Sequence, residues 1–354
     1  MSDYILYCRP GFEKDLAAEI QDKAAMKEIY GFCKVKENEG FIEFSATEAE
    51  NGLLFKLIKL QDVIFCRQWF RVVSRLEELT EGDRITPIVE ALNGEEFSHV
   101  SIDYPDTNNG KEMAKFAKKF TLPLTKALEK KRILRRGAKR ALHLFLQESS
   151  HIILGASVLT NSSAHHLGIH RLKASKNAPS RSSLKLEEAF LYFVPPEERE
   201  TRLASSMQSV DLGASPGGWT YQLVQLGMFV AAVDNGAMDT RLMDTGQVKH
   251  FQEDGFAFKP RKKNVHWLVC DMVEKPTKVA RLMANWLING DCQEAIFNLK
   301  LPMKQRYQSV KDSFQTIEEK LSDHDIRYSL VAKHLYHDRE EVTVHLRCIA
   351  RYDK

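Results

Sequence analysis

The sequence predicts an α/β fold, a mostly parallel sheet finished by an antiparallel hairpin, preceded by a smaller α+β region. Three observations carry this expectation. Residues 208–212, 228–233, 265–270 and 294–299 are apolar runs with little alternation, as strands covered on both faces require. Two intervening stretches repeat apolar residues at helical spacing: Val279, Leu282, Met283, Trp286 and Leu287 within 276–290, and Val310, Phe314, Ile317 and Leu321 within 307–322. The phrase SVDLGASPGGW (209–219) ends an apolar strand and turns through Gly213, Gly217 and Gly218. Helical spacing then resumes at Trp219, Leu223, Val224 and Leu226. Strand, glycine turn and helix in that order let a backbone approach a nucleotide-like ligand, because glycine adds no side chain and accepts positive φ.

A chain of 354 residues has room for two domains. No apolar run is long enough to span a bilayer, and the opening MSDYILYCRPGFEKD lacks the features of a secretory leader. A cytoplasmic protein without a membrane partner is expected. The six cysteines, Cys8, Cys33, Cys66, Cys270, Cys292 and Cys348, form neither a C-x-x-C pair nor a zinc-like spacing, so buried free thiols and no metal are expected. The net charge of +3 hides an uneven distribution. Between Glu129 and Glu187 the single acidic residue is Glu148, against twelve Lys or Arg from Lys130 to Lys185. Such a block suits a polyanion, nucleic acid first; the plainer explanation is a solvated helix followed by a basic linker.

In chain order, YILYC (4–8) reads as a strand, Arg9-Pro10-Gly11 as a turn, and 12–23 as a helix with Phe12, Leu16 and Ile20 on one face. Strands follow at 32–36 and 41–45, then a helix near 50–60 and a strand over VIFCRQWFRVV (63–73). A second α+β stretch has a helix at 85–92, a strand at 100–104, and basic helices at 111–119 and 124–134. Residues 140–147 and 151–158 form a hairpin around Glu148-Ser149-Ser150. Residues 160–183, rich in Ser, Asn, His and cations with Gly168 and Pro179, read as a linker. Ser182-Ser183 then caps a helix carrying Leu184 to Glu188. The strands RYSLVA (327–332) and VTVHLRCIAR (342–351) are joined too closely to be parallel.

Ligands of open α/β sheets sit beyond the carboxyl ends of the strands. There the sequence places Asp211 with the glycine turn, then Asp234, Asp254, Asp271 and Lys300. Asp234 lies where a carboxylate commonly accepts ribose hydroxyls. The turn departs from G-x-G-x-x-G and lacks the Lys-Ser/Thr pair of a P-loop. Lys185, Asp271, Lys300 and Glu341 form the sharper constellation, although spacing alone does not separate Glu341 from Glu340. His334, His337 and Asp338 in KHLYHDRE read as a polar turn rather than a metal site, since one local cluster lacks the remaining ligands.

These segments carry a resemblance. DLGASPGGW, preceded by SRSSLKLEEAF and followed by LVCDMVEKP, FNLKLPMKQRY and HDREEVTVHLR, resembles the FtsJ-like 2′-O-ribose methyltransferases. The likeness to the bacterial ribosomal RNA large subunit methyltransferase M family runs through LYCRPGFEKDLAAEI and HLGIHRLKASKNAPSRSS as well. It implies a ferredoxin-like region over 1–95, a THUMP-like RNA-binding region over 96–160, a basic linker over 161–181 and a Rossmann-like domain over 182–354. It implies S-adenosyl-L-methionine as cofactor, held by Ser182, Gly213, Ser215, Pro216, Gly217, Gly218, Asp234, Asp254 and Asp271. It also implies a catalytic Lys-Asp-Lys-Glu tetrad on Lys185, Asp271, Lys300 and Glu341. The implied substrate is a cytidine in the peptidyl-transferase region of 23S ribosomal RNA, before full assembly of the large subunit, and the implied protein is a monomer. Family members carry Cys where this chain has Ser215; a small residue whose backbone faces the cofactor tolerates either.

A ribose hydroxyl is a poor nucleophile, so its proton must be removed or polarised. The expected general base is Lys300, its pKa lowered by desolvation and by the cation of Lys185. Asp271 would orient Lys300, and Glu341 would position Lys185 or the ribose. Two other classes compete: a nicotinamide-dependent oxidoreductase, disfavoured by the loop pattern and the lysines, and a non-catalytic RNA-binding or assembly factor, disfavoured by the intact tetrad.

Overall fold

The computed structural model describes residues 1–48, 50, 52–107, 110–261 and 263–351, and of Lys111 the backbone alone. The chain divides into two units, Met1–Ile169 and His170–Lys354.

The first unit runs β1 (Ser2–Tyr7), α1 (Glu13–Ala25), β2 (Tyr30–Val35), β3 (Phe41–Thr47), α2 (Leu53–Leu57), β4 (Gln68–Leu76), α3 (Ile85–Ala91), β5 (Val100–Asp103), α4 (Gly110–Lys130), β6 (Arg140–Leu146) and β7 (Ile152–Val158). Its seven strands form one sheet in the order β2-β3-β1-β4-β7-β6-β5. All pairs are antiparallel except β5 with β6. The predicted hairpin is β6–β7.

Three local expectations change here. The helices expected at 111–119 and 124–134 are one helix, α4, with Pro123 inside it. Proline removes a backbone donor, but Ala117, Leu124 and Leu128 keep one buried stripe across it, and tertiary packing outweighs the local break. The strand expected over 63–73 begins only at Gln68. The buried Glu19 carboxylate accepts the Ile64 and Phe65 N–H groups, which a ladder would otherwise use. The helix expected near 50–60 shortens to α2 and a 3₁₀ turn at Leu60–Asp62, with Asn51 outside the described residues.

The second unit runs α5 (Ser183–Phe193), α6 (Arg199–Arg202), β8 (Gln208–Leu212), α7 (Gly218–Gln225), β9 (Phe229–Val233), α8 (Thr240–Met243), β10 (Val248–Phe251), β11 (Val265–Cys270), α9 (Pro276–Ile288), β12 (Cys292–Lys300), α10 (Arg306–Ser322), β13 (Ile326–Lys333) and β14 (Glu341–Arg351). The sheet order is β10-β9-β8-β11-β12-β14-β13. Strands β8 to β12 are parallel, and β14 inserts antiparallel between β12 and β13. Of these, β10 was not anticipated; its four residues, VKHF, are too few and too polar to declare a strand. The apolar stripes of α9 and α10 face inward as expected, with Val279, Met283, Leu287, Val310, Ile317 and Leu321 buried. Among the described residues no helix is long and apolar enough to cross a membrane.

Candidate active site

From β8 the chain goes first to β9 and β10 on one side and then to β11 and β12 on the other. The switch point, where open sheets of this kind leave a crevice, therefore lies between the carboxyl ends of β8 and β11. The glycine turn follows β8, and Asp271 follows β11.

Each glycine of the turn is constrained by what it touches. Gly217 has φ +117°, and a Cβ there would lie 2.3 Å from Leu242 Cδ1. On Gly218, a Cβ would lie 2.1 Å from Ser182 Oγ; on Gly213, which has φ +76°, it would lie 2.6 Å from Met272 Cγ. Backbone thus packs where side chains would not fit, which sets the N-terminal turn of α7 close against Ser182, Leu242 and Met272. The Ser215–Pro216 peptide is cis. Ser215 N–H donates to Asp234 Oδ2 at 3.1 Å, and Gly236 N–H to Asp234 Oδ1 at 2.7 Å. Asp234 therefore braces the turn while standing at the end of β9. Ser182 precedes α5 but makes no side-chain cap; its hydroxyl packs on Gly218 instead. Asp254 is exposed past β10 and accepts Phe256 N–H at 2.9 Å.

Lys185, Asp271, Lys300 and Glu341 come together as a closed ring. Lys300 ends β12 and is paired in register with Glu341, the first residue of β14. Lys300 Nζ donates to Asp271 Oδ1 and to Glu341 Oε2. From α5, Lys185 Nζ donates to Asp271 Oδ2 at 3.2 Å and to Glu341 Oε1. Each lysine bridges both carboxylates, and each carboxylate oxygen takes one lysine. Glu340, the alternative that spacing left open, is exposed and binds Arg306.

The electrostatics reverse one expectation. Burial alone would lower the pKa of Lys300, but the charges of Asp271 and Glu341 and their hydrogen bonds outweigh it and hold the ammonium above the usual lysine range. The lowered pKa expected from the cationic neighbour does not occur in this state, because the two carboxylates screen the lysines from each other. Beneath the glycine turn, burial pushes Asp211 up to about 7, against a hydrogen bond from Thr220 and with the Asp271 charge adding to it. Among the described residues Asp211 Oδ1 is buried with no hydrogen-bond partner.

Sequence reasoning missed Asn298, whose Nδ2 donates to Asp271 Oδ1 at 2.9 Å, and Glu188, whose carboxylate accepts the backbone N–H groups of Tyr336 and His337. A polar residue two before Lys300 on a buried strand was the available signal for Asn298. The 334–338 stretch is a turn tied down by these contacts. Among the described residues no group of His, Cys, Asp and Glu is arranged to hold a metal ion.

Fold and site define a Rossmann-like methyltransferase domain joined to a second, mainly antiparallel unit. Residues 178–322 match the FtsJ-like methyltransferase model, 1–70 the RlmM ferredoxin-like domain, and 83–158 the N-terminal model of ribosomal RNA large subunit methyltransferase M. Along its whole length the chain is 53% identical over 352 residues to the ribosomal RNA large subunit methyltransferase M of Shewanella halifaxensis, covering 98% of each. It is 52% identical to that of a Photorhabdus species, covering 99% of this chain and 97% of the relative. To that of Colwellia psychrerythraea it is 49% identical, covering 99% and 98%. The chain belongs to the ribosomal RNA large subunit methyltransferase M family.

Proposed function

We propose that this chain transfers the methyl group of S-adenosyl-L-methionine to the ribose 2′-hydroxyl of a cytidine in the peptidyl-transferase region of 23S ribosomal RNA, before the large subunit is fully assembled. The observation that carries this reading is the Lys185–Asp271–Lys300–Glu341 ring at the edge of the switch-point crevice. The relatives' shared name supplies the substrate class.

The crevice fits the cofactor. Gly213, Ser215, Pro216, Gly217 and Gly218 offer a backbone cradle, with Ser182 against it. Asp234, Asp254 and Asp271 supply acceptors along the same sheet edge. Asp211 Oδ1, buried and without a hydrogen-bond partner among the described residues, could take a donor of the kind an amino-acid ammonium provides. These residues would hold the cofactor, which when bound supplies an electrophilic methyl group on a sulfonium.

Lys300 is assigned as the general base toward the ribose hydroxyl. Only its neutral amine can accept the proton, so its raised pKa makes transfer faster at alkaline pH. Lys185 keeps both carboxylates partnered as the proton on Lys300 moves, and it holds the target hydroxyl. Asp271 orients Lys300; Glu341 positions Lys185. Much of the acceleration then comes from holding the hydroxyl in line.

The cations between Lys130 and Lys185 would neutralise phosphates, and loop or single-stranded RNA presents a ribose more openly than a duplex does. The test is methyl transfer from labelled cofactor to 23S RNA lacking its native modifications, with the labelled nucleotide mapped. Label on one cytidine ribose is expected. Label on a base, or none, contradicts the reading.

A further inference from the structure

Below the lysine ring lies a line of buried polar side chains that the reaction as described does not use. Asn298, Thr343 and Asp338 are each 0% exposed. Strand register lines them up: Asn298 is paired with Thr343 across β12 and β14, and Asp271 follows the end of β11, the other neighbour of β12. Asn298 and Lys300 share one face of β12, and Thr343 and Glu341 share one face of β14, at the period of two that strands impose.

The hydrogens can be assigned by donor and acceptor logic. Asp271 accepts hydrogen bonds from two lysine side chains, so toward Asn298 it serves as an acceptor. Asn298 must therefore turn Nδ2 toward Asp271 Oδ1, at 2.9 Å, which leaves Oδ1 as the acceptor facing Thr343 Oγ1 at 2.8 Å. Thr343 has one hydroxyl hydrogen, and Asn298 Oδ1 needs it. Yet Thr343 Oγ1 is also 3.0 Å and 2.9 Å from the two Asp338 oxygens. Asp338 Oδ2 accepts Leu335 N–H at 3.0 Å. The Asn298, Leu335 and Thr343 Oγ1–Asp338 Oδ1 contacts are satisfied together when Asp338 Oδ1 carries a proton and donates it to Thr343. An ionised Asp338 would compete for the same hydrogen and leave Asn298 Oδ1 without it.

We infer that Asn298, Thr343 and a neutral Asp338 form a buried relay that positions Asp271, and through it Lys300, for the methyl transfer proposed above. Burial, together with the neighbouring Glu341 and Glu188 carboxylates, pushes the Asp338 carboxyl well above its usual range, against the Leu335 hydrogen bond and the Lys185 charge, in keeping with that protonation. The relay is anchored from a second side. The Glu188 carboxylate, one helical turn from Lys185 on α5, accepts Tyr336 N–H, His337 N–H and a hydrogen bond from His337 Nδ1. The turn between β13 and β14 is therefore fixed to the helix that carries one lysine and to the strand that carries Glu341. None of these three residues reaches the reacting atoms; they are positioning residues.

The relay rests on the proposed reaction, and the experiment separates the two. Single-turnover methyl transfer, the KM for cofactor and RNA, and thermal melts are measured for the full chain and its variants. Thr343→Val keeps shape and removes the hydroxyl; kcat should fall about 10- to 100-fold, as for a small misplacement of reacting groups, with both KM values nearly unchanged. Thr343→Ser restores the hydroxyl and should recover most of the rate. Asp338→Asn keeps one donor and one acceptor and should stay within about threefold of wild type, whereas Asp338→Leu should fall as Thr343→Val does. Should Thr343→Val fail to fold, as the melt would report, Thr343→Ala against Thr343→Ser makes the same comparison. A full rate in the hydroxyl deletions overturns the relay, as does equal loss in Ser and Val, or loss in Asp338→Asn as deep as in Asp338→Leu. A wild-type chain that transfers no methyl group overturns the reaction itself.

Discussion

In the N-terminal unit Asp103 is 1% exposed and accepts hydrogen bonds from Tyr7 and Ser101, with His143 Nδ1 at 2.8 Å. In the C-terminal unit the Asp271 side chain is 18% exposed and accepts from Lys185, Lys300 and Asn298. Both carboxylates stand at a strand end among several donors. The difference is the charge each presents. His143 passes its other ring nitrogen to Ser157 at 2.8 Å, so that branch of the Asp103 network ends inside the protein, while a second branch reaches the partly exposed His166, 3.5 Å from Asp103 Oδ1. The Asp271 network ends on two partly exposed lysines at the carboxyl edge of a parallel sheet. The first network ties β1, β5, β6 and β7 together, whereas the second offers ammonium groups to a ligand.

That contrast can be broken at either end. Glu341→Gln removes one of the two carboxylates shared by the lysines, and methyl transfer should fall about 10²-fold, the cost of misplacing the groups it positions, even though loss of its charge lowers the Lys300 pKa. Asp103→Ala should leave the rate per folded molecule intact and lower stability by about 1–3 kcal/mol, the cost of leaving a buried polar partner alone. Denaturant titration and single-turnover kinetics on both variants check this; a catalytic loss in Asp103→Ala without loss of stability would erase the distinction.

Acid and alkali probe the two networks separately. Burial works to raise the Asp103 pKa, but the His143 hydrogen bond and charge, with His166 and Ser101, hold it below its usual value. Its contribution to stability is present above about pH 4 and is lost as the pH falls through the depressed folded value. Lys300 is shifted upward, so its contribution is present below about pH 10.4 and is lost as the pH rises through the folded value. Catalysis runs against stability at that end. If Lys300 must be neutral, kcat/KM climbs about tenfold per pH unit until the raised pKa is reached. A flat profile between pH 7 and 9 with chemistry rate-limiting would remove Lys300 as the base.

Smaller effects sharpen the picture. Gly218→Ala presses a methyl group onto Ser182 Oγ and should weaken cofactor binding by about 1–3 kcal/mol, measurable by calorimetry. Glu340→Gln takes a carboxylate from the largely buried Arg306 guanidinium and should lower stability by about 1–3 kcal/mol while hardly changing the rate, although it neighbours Glu341.

Much of the second unit was legible because its signals are strong and local. Unalternating apolar strands announce a two-sided parallel sheet, and the glycine turn announces the crevice. Lys185, Asp271, Lys300 and Glu341 were found partly through resemblance, since Glu341 and Glu340 differ only in which way a strand faces, and that follows from register with Lys300. Asn298, Thr343 and Asp338 were hidden because their meaning lies in cross-strand pairing. In the first unit Pro123 misled the reading of α4, because a buried stripe on both sides of a proline outweighs one missing donor. The charge state of Lys300 was misjudged for a related reason: sequence names neighbours, while the sign of a pKa shift depends on which of them are closest.

The measurement that bears most directly on the central claim is single-turnover methyl transfer to unmodified 23S RNA by Lys300→Ala beside the wild type, with cofactor and RNA bound at saturation in both. A rate lower by about 10²–10⁴-fold with unchanged affinities is the expected result. A near wild-type rate from the variant would contradict the assignment of the lysine ring as the catalytic centre.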